Sequence, residues 1–575
     1  MHNADIAALF ARLGELLEIE GANPFRVRAY RNAARTVQDL PHSVESMLAQ
    51  GADLSELPGI GEDLAGKIRE IVETGRLHLL DEVEGRLPGG LVDLARVPGL
   101  GPKRIKLLHE RLGIHGLGDL AVAAKAGKIG ALPGLGKKTE AKILAEIGRL
   151  KGGETRTKLN VAERIVEPLL AYLKETDGVA DVVAAGSYRR RKDTVGDADI
   201  LVTCRKGAAV MDRFVGYEDV AQVVAKGPTR STVRLKSGFQ VDLRVVPRAS
   251  YGAALHYFTG SKAHNIAVRT MAATKGLKLN EYGVFKGSKR VAGRSEAEVF
   301  ARVDLPYIEP ELREQRGEIE AARAGRLPKL VALGDIRGDL HVHSKASDGR
   351  HTIAEMAAAA RQRGYAYIAI ADHSKHVAVA HGLDAKRLAR QIAEIDRLND
   401  RLNERLDGIR VLKSAEVDIL ADGTLDLPDS ILDELDLTVC AVHYKFDLPA
   451  DKQTERIIRA MDNPRFDIFA HPTGRLINER APYALDLERL MRAALERGCF
   501  LELNAQPDRL DLDDVHCKMA KDMGLKLAVS TDAHAVAGLD VMRFGIDQAR
   551  RGWLEAADLL NTRSWTELRK LLRRR

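Results

Sequence analysis

Hydrophobic positions change their rhythm along the chain. Over residues 1–150 they recur at helical spacing, and one phrase returns: ELPGIGEDLAGKI from Glu56, RVPGLGPKRIKLL from Arg96 and ALPGLGKKTEAKIL from Ala131. Each is apolar-Pro-Gly-apolar-Gly followed by a helical pattern. The Pro-Gly and second Gly predict a tight turn that needs positive φ or close backbone approach. The helix that follows begins with outward N–H donors, which suit a phosphate oxygen. Residues 151–180 are polar and then helical (KLNVAERIVEPLLAYLKET). VADVVAAG, DADILVTC, STVRLKS and FQVDLRVVP then read as strands of one sheet with helices around it. Residues 306–334 are charged, with Pro and Gly at both ends, and mark a domain boundary. After 335 strands and helices alternate. Apolar strand patterns at 338–343, 366–371, 409–415, 436–442, 466–470, 499–504 and 526–531 predict a barrel-like α/β domain. The closing RKLLRRR reads as a basic tail or a frayed helix end.

Composition narrows this picture a little. At ~100–200 residues per domain, 575 residues predict three or four domains. A net charge of +7 is modest for this length and permits a polyanionic partner without naming one. None of the four cysteines (Cys204, Cys440, Cys499, Cys517) forms a CxxC pair, so buried free thiols in a reducing interior are expected. The N-terminus lacks a basic n-region, and no stretch reaches the ~20 apolar residues needed to span a membrane. A soluble, cytoplasmic protein is expected.

Two clusters carry chemistry. GDADILV runs into an apolar strand, where period 2 puts Asp197 and Asp199 on one face. FQVDLRVV alternates too, with Phe239, Val241, Leu243 and Val245 one way and Gln240, Asp242 and Arg244 the other. Three aspartates from neighbouring strands suit two Mg²⁺ ions ~3.5–4 Å apart, as in phosphoryl transfer. GSYRR upstream offers a small turn residue, a hydroxyl and arginines for phosphate oxygens.

The second cluster lies at or just past the strand patterns of the C-terminal third. His341 and His343, His373, Glu416, His443, His471, and Asp532 with His534 each end a strand, and Asp348 follows the first in its loop. Barrel sites gather at the C-terminal ends of strands. Mixed imidazole and carboxylate donors suit Zn²⁺, Mn²⁺ or Fe²⁺ better than Mg²⁺. Asp339 is expected to open its strand without a ligand role.

The three repeated hairpin phrases resemble the helix-hairpin-helix element, which grips the DNA backbone without reading sequence. The resemblance assigns DNA binding to Gly59, Gly61, Gly99, Gly101, Lys103, Gly134, Gly136 and Lys137. GSYRRRKDTVGDADIL, VDLRVV and LHYFTGSKAHNIAVRTMAATKGLKLNEYGVF resemble the X-family DNA polymerases, across most of residues 1–310. By that resemblance Asp197, Asp199 and Asp242 bind Mg²⁺ or Mn²⁺, and Asp242 helps deprotonate the primer 3′-hydroxyl. Gly186, Ser187 and Arg190 hold the triphosphate. Tyr257, Phe258, Thr259 and Gly260 lie against the sugar, and Asn265 and Arg269 touch the base and the template side of the minor groove. The chain departs from the family at Val195 (a phosphate-binding serine there), Gln240 (an arginine) and Lys262 (an acid), which leaves selectivity and rate open. Lys67 falls where the family keeps a lyase lysine, an amine whose pKa must be lowered. Asp63 stands at a neighbouring lysine position, so a plain surface lysine is an equal reading.

The histidine cluster resembles the metal set of the PHP (polymerase and histidinol phosphatase) phosphoesterases, with two or three Mn²⁺ and/or Zn²⁺ ions, and His376, His381, Lys345 and Arg475 near the phosphate. Together the halves resemble a bacterial X-family DNA polymerase ending in a PHP domain. This implies a multidomain α+β and α/β chain: a helical lyase-like domain (1–85), a helix-hairpin-helix domain (86–152), a nucleotidyltransferase palm with a mixed sheet (153–250), a nucleotide- and template-binding subdomain (251–312), a linker (313–334) and a distorted (β/α)7 barrel (335–575). Gap-filling repair synthesis on gapped or primer-template DNA from dNTPs is implied, together with 3′→5′ exonuclease, abasic-site endonuclease and 3′-phosphatase activity in a monomer without membrane contact. Three other readings compete. A phosphoesterase with a DNA-holding polymerase half leaves the intact aspartates unexplained. A DNA-binding scaffold leaves both clusters unexplained. A template-independent nucleotidyltransferase leaves the hairpins and YFTGS unexplained.

Overall fold

A computed structural model of the chain describes residues 3–38, 40, 42–87, 90–94, 97, 100–133, 135, 136, 140, 143, 144, 156–205, 207–404 and 408–572. The chain divides into two compact units, residues 1–155 and 156–575.

The first unit is helical, as the periodicity predicts. Helices Asn3–Glu20, Pro24–Gln38, Glu62–Thr74 and His78–Arg86 bury one apolar face each around Phe10, Leu13, Tyr30 and Ile68. Gly59 takes φ +78° in its turn, and Gly61 caps helix Glu62–Thr74. Gly101 caps helix Pro102–Leu112, which has Pro at its first position and Gly113 in the left-handed region at its end. Gly99, Gly134 and Lys137 lie outside the described residues.

The second unit begins with the palm. Its strands are β1 (Thr157–Lys158), β2 (Val179–Ala184), β3 (Thr194–Val195), β4 (Asp197–Cys204), β5 (Val220–Lys226), β6 (Arg230–Leu235) and β7 (Gln240–Val245). β1 pairs with β3, and the main sheet runs β2-β4-β7-β6-β5, mixed because β4 and β7 are parallel. Ala198, Ile200 and Val202 of β4 and Val241 and Leu243 of β7 turn inward onto helix Leu159–Lys174, which leaves the aspartates on the opposite side. The edge strand β5 is absent from the strand patterns read above. Its side chains are mostly exposed, with Val223 and Val224 each 45% accessible, so it shows no buried period-2 face.

Helices Tyr251–Thr259 and Lys262–Thr274 and the hairpin-linked strands β8 (Lys278–Asn280), β9 (Gly283–Lys286) and β10 (Lys289–Ala292) follow. The stretch 313–334, expected to be a linker, is packed instead. Helix Glu318–Arg323 puts Ile319 and Ala322 into a core with Phe300 and Trp553. Two of its charges are buried in pairs: Arg313 with Glu296, and Glu318 with His264 Nδ1 at 2.7 Å.

The C-terminal strands are β11 (Gly338–Val342), β12 (Tyr367–Ile370), β13 (Arg410–Lys413), β14 (Glu416–Asp418), β15 (Val439–Ala441), β16 (Ile468–Phe469), β17 (Phe500–Asn504) and β18 (Leu527–Ser530). They form two parallel sheets, β11-β12-β13 and β14 to β18 in order. Single bridges, His373 with Glu416 and Val342 with Ala533, join the sheets at both margins. β13 and β14 are one segment, divided at Ser414–Ala415. Ile477, Leu510 and Phe544 from this region complete the palm core. Cys440, Cys499 and Cys517 are buried, Cys204 is half-buried, and none of the four is in a disulfide. No helix among the described residues is long and apolar enough to cross a membrane.

Candidate active sites

In the palm, Asp199 stands opposite Asp242 across the parallel pair β4–β7, with Asp197 two residues earlier on the same face. Burial first, then repulsion from Asp197 and Asp242, pushes the Asp199 carboxyl up to about 6. Asp197 is raised by the same two causes. Two carboxylates raised by burial and by neighbouring acids, beside a third on the paired strand, form an acidic cluster that fits divalent cations.

Asp242 is held more firmly than the sequence suggested. Its Oδ1 accepts from Thr232 Oγ1 at 2.6 Å and Arg230 Nη2 at 3.0 Å, and its Oδ2 accepts from Gln240 Nε2 at 3.0 Å. Arg230 and Thr232, both from β6, were missed because sheet order brings them there and local sequence does not. Gly186 takes φ +65°, and a Cβ there would sit 3.2 Å from Asp199 Oδ2, so the loop passes the acids as glycine. Ser187 is half-buried beside it. Val195, where the family has serine, is fully buried in the palm core.

The arginines of GSYRRR are committed to protein partners. Arg189 bonds Thr259 Oγ1 at 2.6 Å and pairs with Glu296. Arg190 donates to the Thr259 carbonyl and to Glu314 at 3.0 Å. Arg191 reaches Asp547 and Glu163. Phe258 lies under the Arg244 guanidinium, 4.4 Å from its ring centre. Gly260 takes φ +70° beside Arg190. Asn265 Nδ2 donates to the Tyr257 carbonyl at 2.7 Å, and Tyr257, Asn265 and Arg269 line one shallow groove with Leu279 and Asn280. Lys262 is exposed.

The C-terminal cluster converges as expected. Glu416 Oε2 lies 2.7 Å from His373 Nδ1, 3.5 Å from His341 Nε2 and 3.6 Å from His343 Nε2. Its Oε1 lies 2.9 Å from His471 Nε2 and 3.2 Å from His443 Nε2. Asp532 Oδ1 is 3.2 Å from His343 Nε2 and 3.6 Å from His534 Nδ1. Asp348 Oδ2 is 3.3 Å from His534 and 3.6 Å from His373. Three donor groups draw together: His343, Asp348, His373 and His534; His341, His343 and Asp532; and His373, Glu416 and His443. The Nε2 atoms of His341 and His343 face each other at 3.1 Å. His343 Nδ1 is buried without a hydrogen-bond partner.

These donors fit metal ions. Burial, then the imidazoles of His373, His534 and His341, lower His343 to about 4, so it is neutral as a ligand must be. Burial opposes the charging of His443, yet Glu416 and Asp418 lift it to about 10, so a proton occupies a place a cation would fill.

Outer residues hold the donors in place, and the sequence reading missed them. Glu502 accepts from His341 Nδ1 at 2.8 Å and from the His471 backbone N–H at 2.7 Å. Asp418 meets His443 Nδ1 at 3.0 Å, and Asn504 donates to Asp532 at 3.2 Å. Their signal was present: FLELN and AEVD put polar residues at alternate positions of strands that are otherwise apolar. Asp339 is bound to Thr531 and the His341 backbone N–H, apart from the donor groups.

Of the residues placed near the phosphate, Lys345, His376 and His381 are exposed. Arg475 is not available there. It donates to the carbonyls of Arg509 and Leu510 and faces Asp193 at 3.4 Å. In the first unit Lys67 pairs with Asp63 one turn away. Gly59, Gly61, Gly101, Lys103 and Gly136 are exposed.

Models of known families match in the same order: a helix-hairpin-helix domain over residues 1–77, a SAM-like helix-hairpin-helix tandem over 91–149, a DNA polymerase beta palm over 156–232, a DNA polymerase beta thumb over 254–314 and a PHP domain over 339–506. The chain is 38% identical over 578 aligned residues to the DNA polymerase/3′-5′ exonuclease PolX of Bacillus subtilis (strain 168), covering 100% of both chains. A probable phosphatase of Thermoanaerobacter sp. (strain X514) is 34% identical over 218 residues, 36% of this chain and 81% of the relative. DNA polymerase lambda of Rattus norvegicus is 27% identical over 344 residues, 54% of this chain and 56% of the relative.

Proposed function

Because the chain belongs to the X-family DNA polymerases that end in a PHP domain, we propose that it is a DNA-directed DNA polymerase and a metal-dependent 3′→5′ exonuclease acting in gap-filling DNA repair. The observation that carries this is the presence of two unlike donor clusters in one chain, three aspartates on paired strands and eight histidines and carboxylates in three donor groups, with His471 against Glu416.

Asp197, Asp199 and Asp242 hold Mg²⁺ or Mn²⁺ in this reading, and the nine C-terminal donors hold Mn²⁺ and/or Zn²⁺. Bound there, such ions supply Lewis acidity and lower the pKa of a coordinated oxygen. The protein's own part at the palm is to hold Asp242 in one orientation through Arg230, Thr232 and Gln240, facing the primer 3′-hydroxyl. Gly186, Ser187 and Arg190 receive the triphosphate, Tyr257 to Gly260 pack on the sugar, and Asn265 and Arg269 read the base-pair edge. At the nuclease site Glu502 and Asp418 fix which imidazole nitrogen faces the phosphodiester.

The hairpins of the first unit grip the DNA backbone through exposed N–H groups beside Gly61, Gly101 and Gly136. Regions 1–85, 86–152, 153–250, 251–312 and 335–575 divide the work as lyase-like, DNA-holding, catalytic, nucleotide-binding and nuclease parts. A cytoplasmic monomer serves this role. The likeness to a probable phosphatase supports 3′-phosphatase activity at the PHP site as well, alongside abasic-site cleavage. Lyase chemistry at Lys67 is not favoured, because its amine is held in an ion pair with Asp63 one turn away. Borohydride trapping on a 5′-deoxyribose phosphate end tests that point: an adduct lost in Lys67→Ala restores the lyase reading. The main test is primer extension and 3′-end degradation on one gapped substrate, with Asp242→Ala and His343→Ala. Loss of both activities in one folded variant would sink the two-site reading.

A further inference from the structure

A buried chain of charge runs from the GSYRR loop of the palm into the PHP domain. One oxygen of Glu314, Oε1, accepts from Arg190 Nε at 3.0 Å and from Arg551 Nη1 at 3.1 Å. Arg551 ends the helix Met542–Arg551 of the C-terminal region. Its side chain is 2% exposed, against 11% for Glu314 and 12% for Arg190. The same Nη1 also donates to the Arg190 carbonyl at 2.7 Å, and Nη2 donates to Asp514. Burial works to raise the Glu314 carboxyl, but Arg551 and Arg190 hold it down to about 2. Glu314 is therefore an anion at neutral pH, enclosed by two guanidinium groups from different domains.

A buried carboxylate that loses its cation is strongly destabilised. Arg190 cannot move from Glu314 to a nucleotide phosphate at low cost unless a second cation stays behind. Arg551 is that cation, already in contact and anchored on its far side by Asp514. We infer that Arg551, although it lies in the nuclease domain, is a positioning residue of the polymerase site. It neutralises Glu314 so that Arg190 is free to engage the triphosphate, and it fixes the loop through the Arg190 carbonyl. Neighbouring contacts point the same way. Asp547 holds Arg191, and Arg475 faces Asp193, so the PHP domain grips the loop between GS and DAD at three successive places.

This inference rests on Arg190 as a triphosphate ligand, and the experiment separates the two. Gapped DNA is extended by the full-length protein across a dNTP titration, and 3′-end degradation is measured on the same preparations. Arg551→Met is expected to raise KM for dNTP about tenfold, with kcat changed by less than about threefold, because a charge-assisted contact is lost from binding and not from chemistry. Degradation is expected to be unchanged. Adding Glu314→Gln to Arg551→Met removes the buried charge, and KM is expected to return toward wild type. A merely structural role predicts no such rescue. Unchanged KM in Arg551→Met, or a double variant as impaired as the single one, overturns the inference. If Arg551→Met does not fold, Glu314→Gln alone decides: KM at or below wild type supports the inference, and a raised KM overturns it. If Arg190→Ala leaves KM unchanged, the reading of Arg190 fails first and takes the inference with it.

Discussion

The two clusters solve the problem of holding cations in opposite ways. The palm offers three carboxylates on two strands, one of them exposed and one already countered by Arg230. The C-terminal cluster draws eight donor side chains, with His471 against Glu416, from almost every strand end, and most are buried. A sparse oxygen site leaves coordination positions for substrate phosphates and water, as Mg²⁺ prefers. A dense nitrogen and oxygen site can supply its own ligand shell. In the function proposed above, the first depends on the nucleotide to be complete, and the second does not.

The contrast can be broken most sharply by substitution. Asp242→Ala is expected to lower extension by ~10³-fold or more while degradation persists, and His343→Ala to do the reverse. Rates of both reactions on one gapped DNA check this. Metal dependence comes next. Metal-stripped protein given Mn²⁺ at about 100 times its dissociation constant gains ~2.7 kcal/mol of stability if the dense site binds in the absence of substrate. A melting temperature that rises in wild type and in Asp199→Asn, but not in His343→Ala, is expected. An equal rise in His343→Ala contradicts the contrast. Glu502→Gln is expected to weaken metal retention or degradation by about 10- to 100-fold and to spare extension, because it orients His341 and His471 without being a ligand. Metal release measured with a chromophoric chelator reads this directly. The smallest effect belongs to Arg230→Ala. Removing the partner of Asp242 is expected to lower the Mg²⁺ needed for half-maximal extension about two- to fivefold, since a half-exposed ion pair is worth ~0.2–1 kcal/mol.

What the sequence made legible follows the same division. The C-terminal strands stood out because they are largely apolar and all but the one at 499–504 end at a donor residue, so strand and ligand announced each other. The shared face of Asp197 and Asp199, and the side of Asp242, followed from alternation in DADILV and FQVDLRVV, where a one-residue shift would have buried the acids; the register that sets Asp199 opposite Asp242 did not. Partners from a different strand were hidden: Arg230 and Thr232 reach Asp242 through sheet order, which local pattern does not encode. β5 was hidden because an exposed edge strand has no buried face to read. The stretch 313–334 misled for a related reason. Charge in a sequence looks solvated, and Arg313 and Glu318 are fully buried in pairs whose other halves lie elsewhere in the chain. The arginines of GSYRRR were recognised as important, but their present partners, Glu296, Glu314 and Asp547, lie more than a hundred residues away.

The palm core is closed by Ile477, Leu510 and Phe544. A fragment ending before residue 335 would present that gap to water and lose the partners of Arg191 and Asp193. Cutting between the two catalytic regions therefore does not leave the palm as a closed, smaller enzyme. The boundary visible in the order of motifs is not a boundary in the folded molecule, and a stop codon there takes from the palm the residues that close its core.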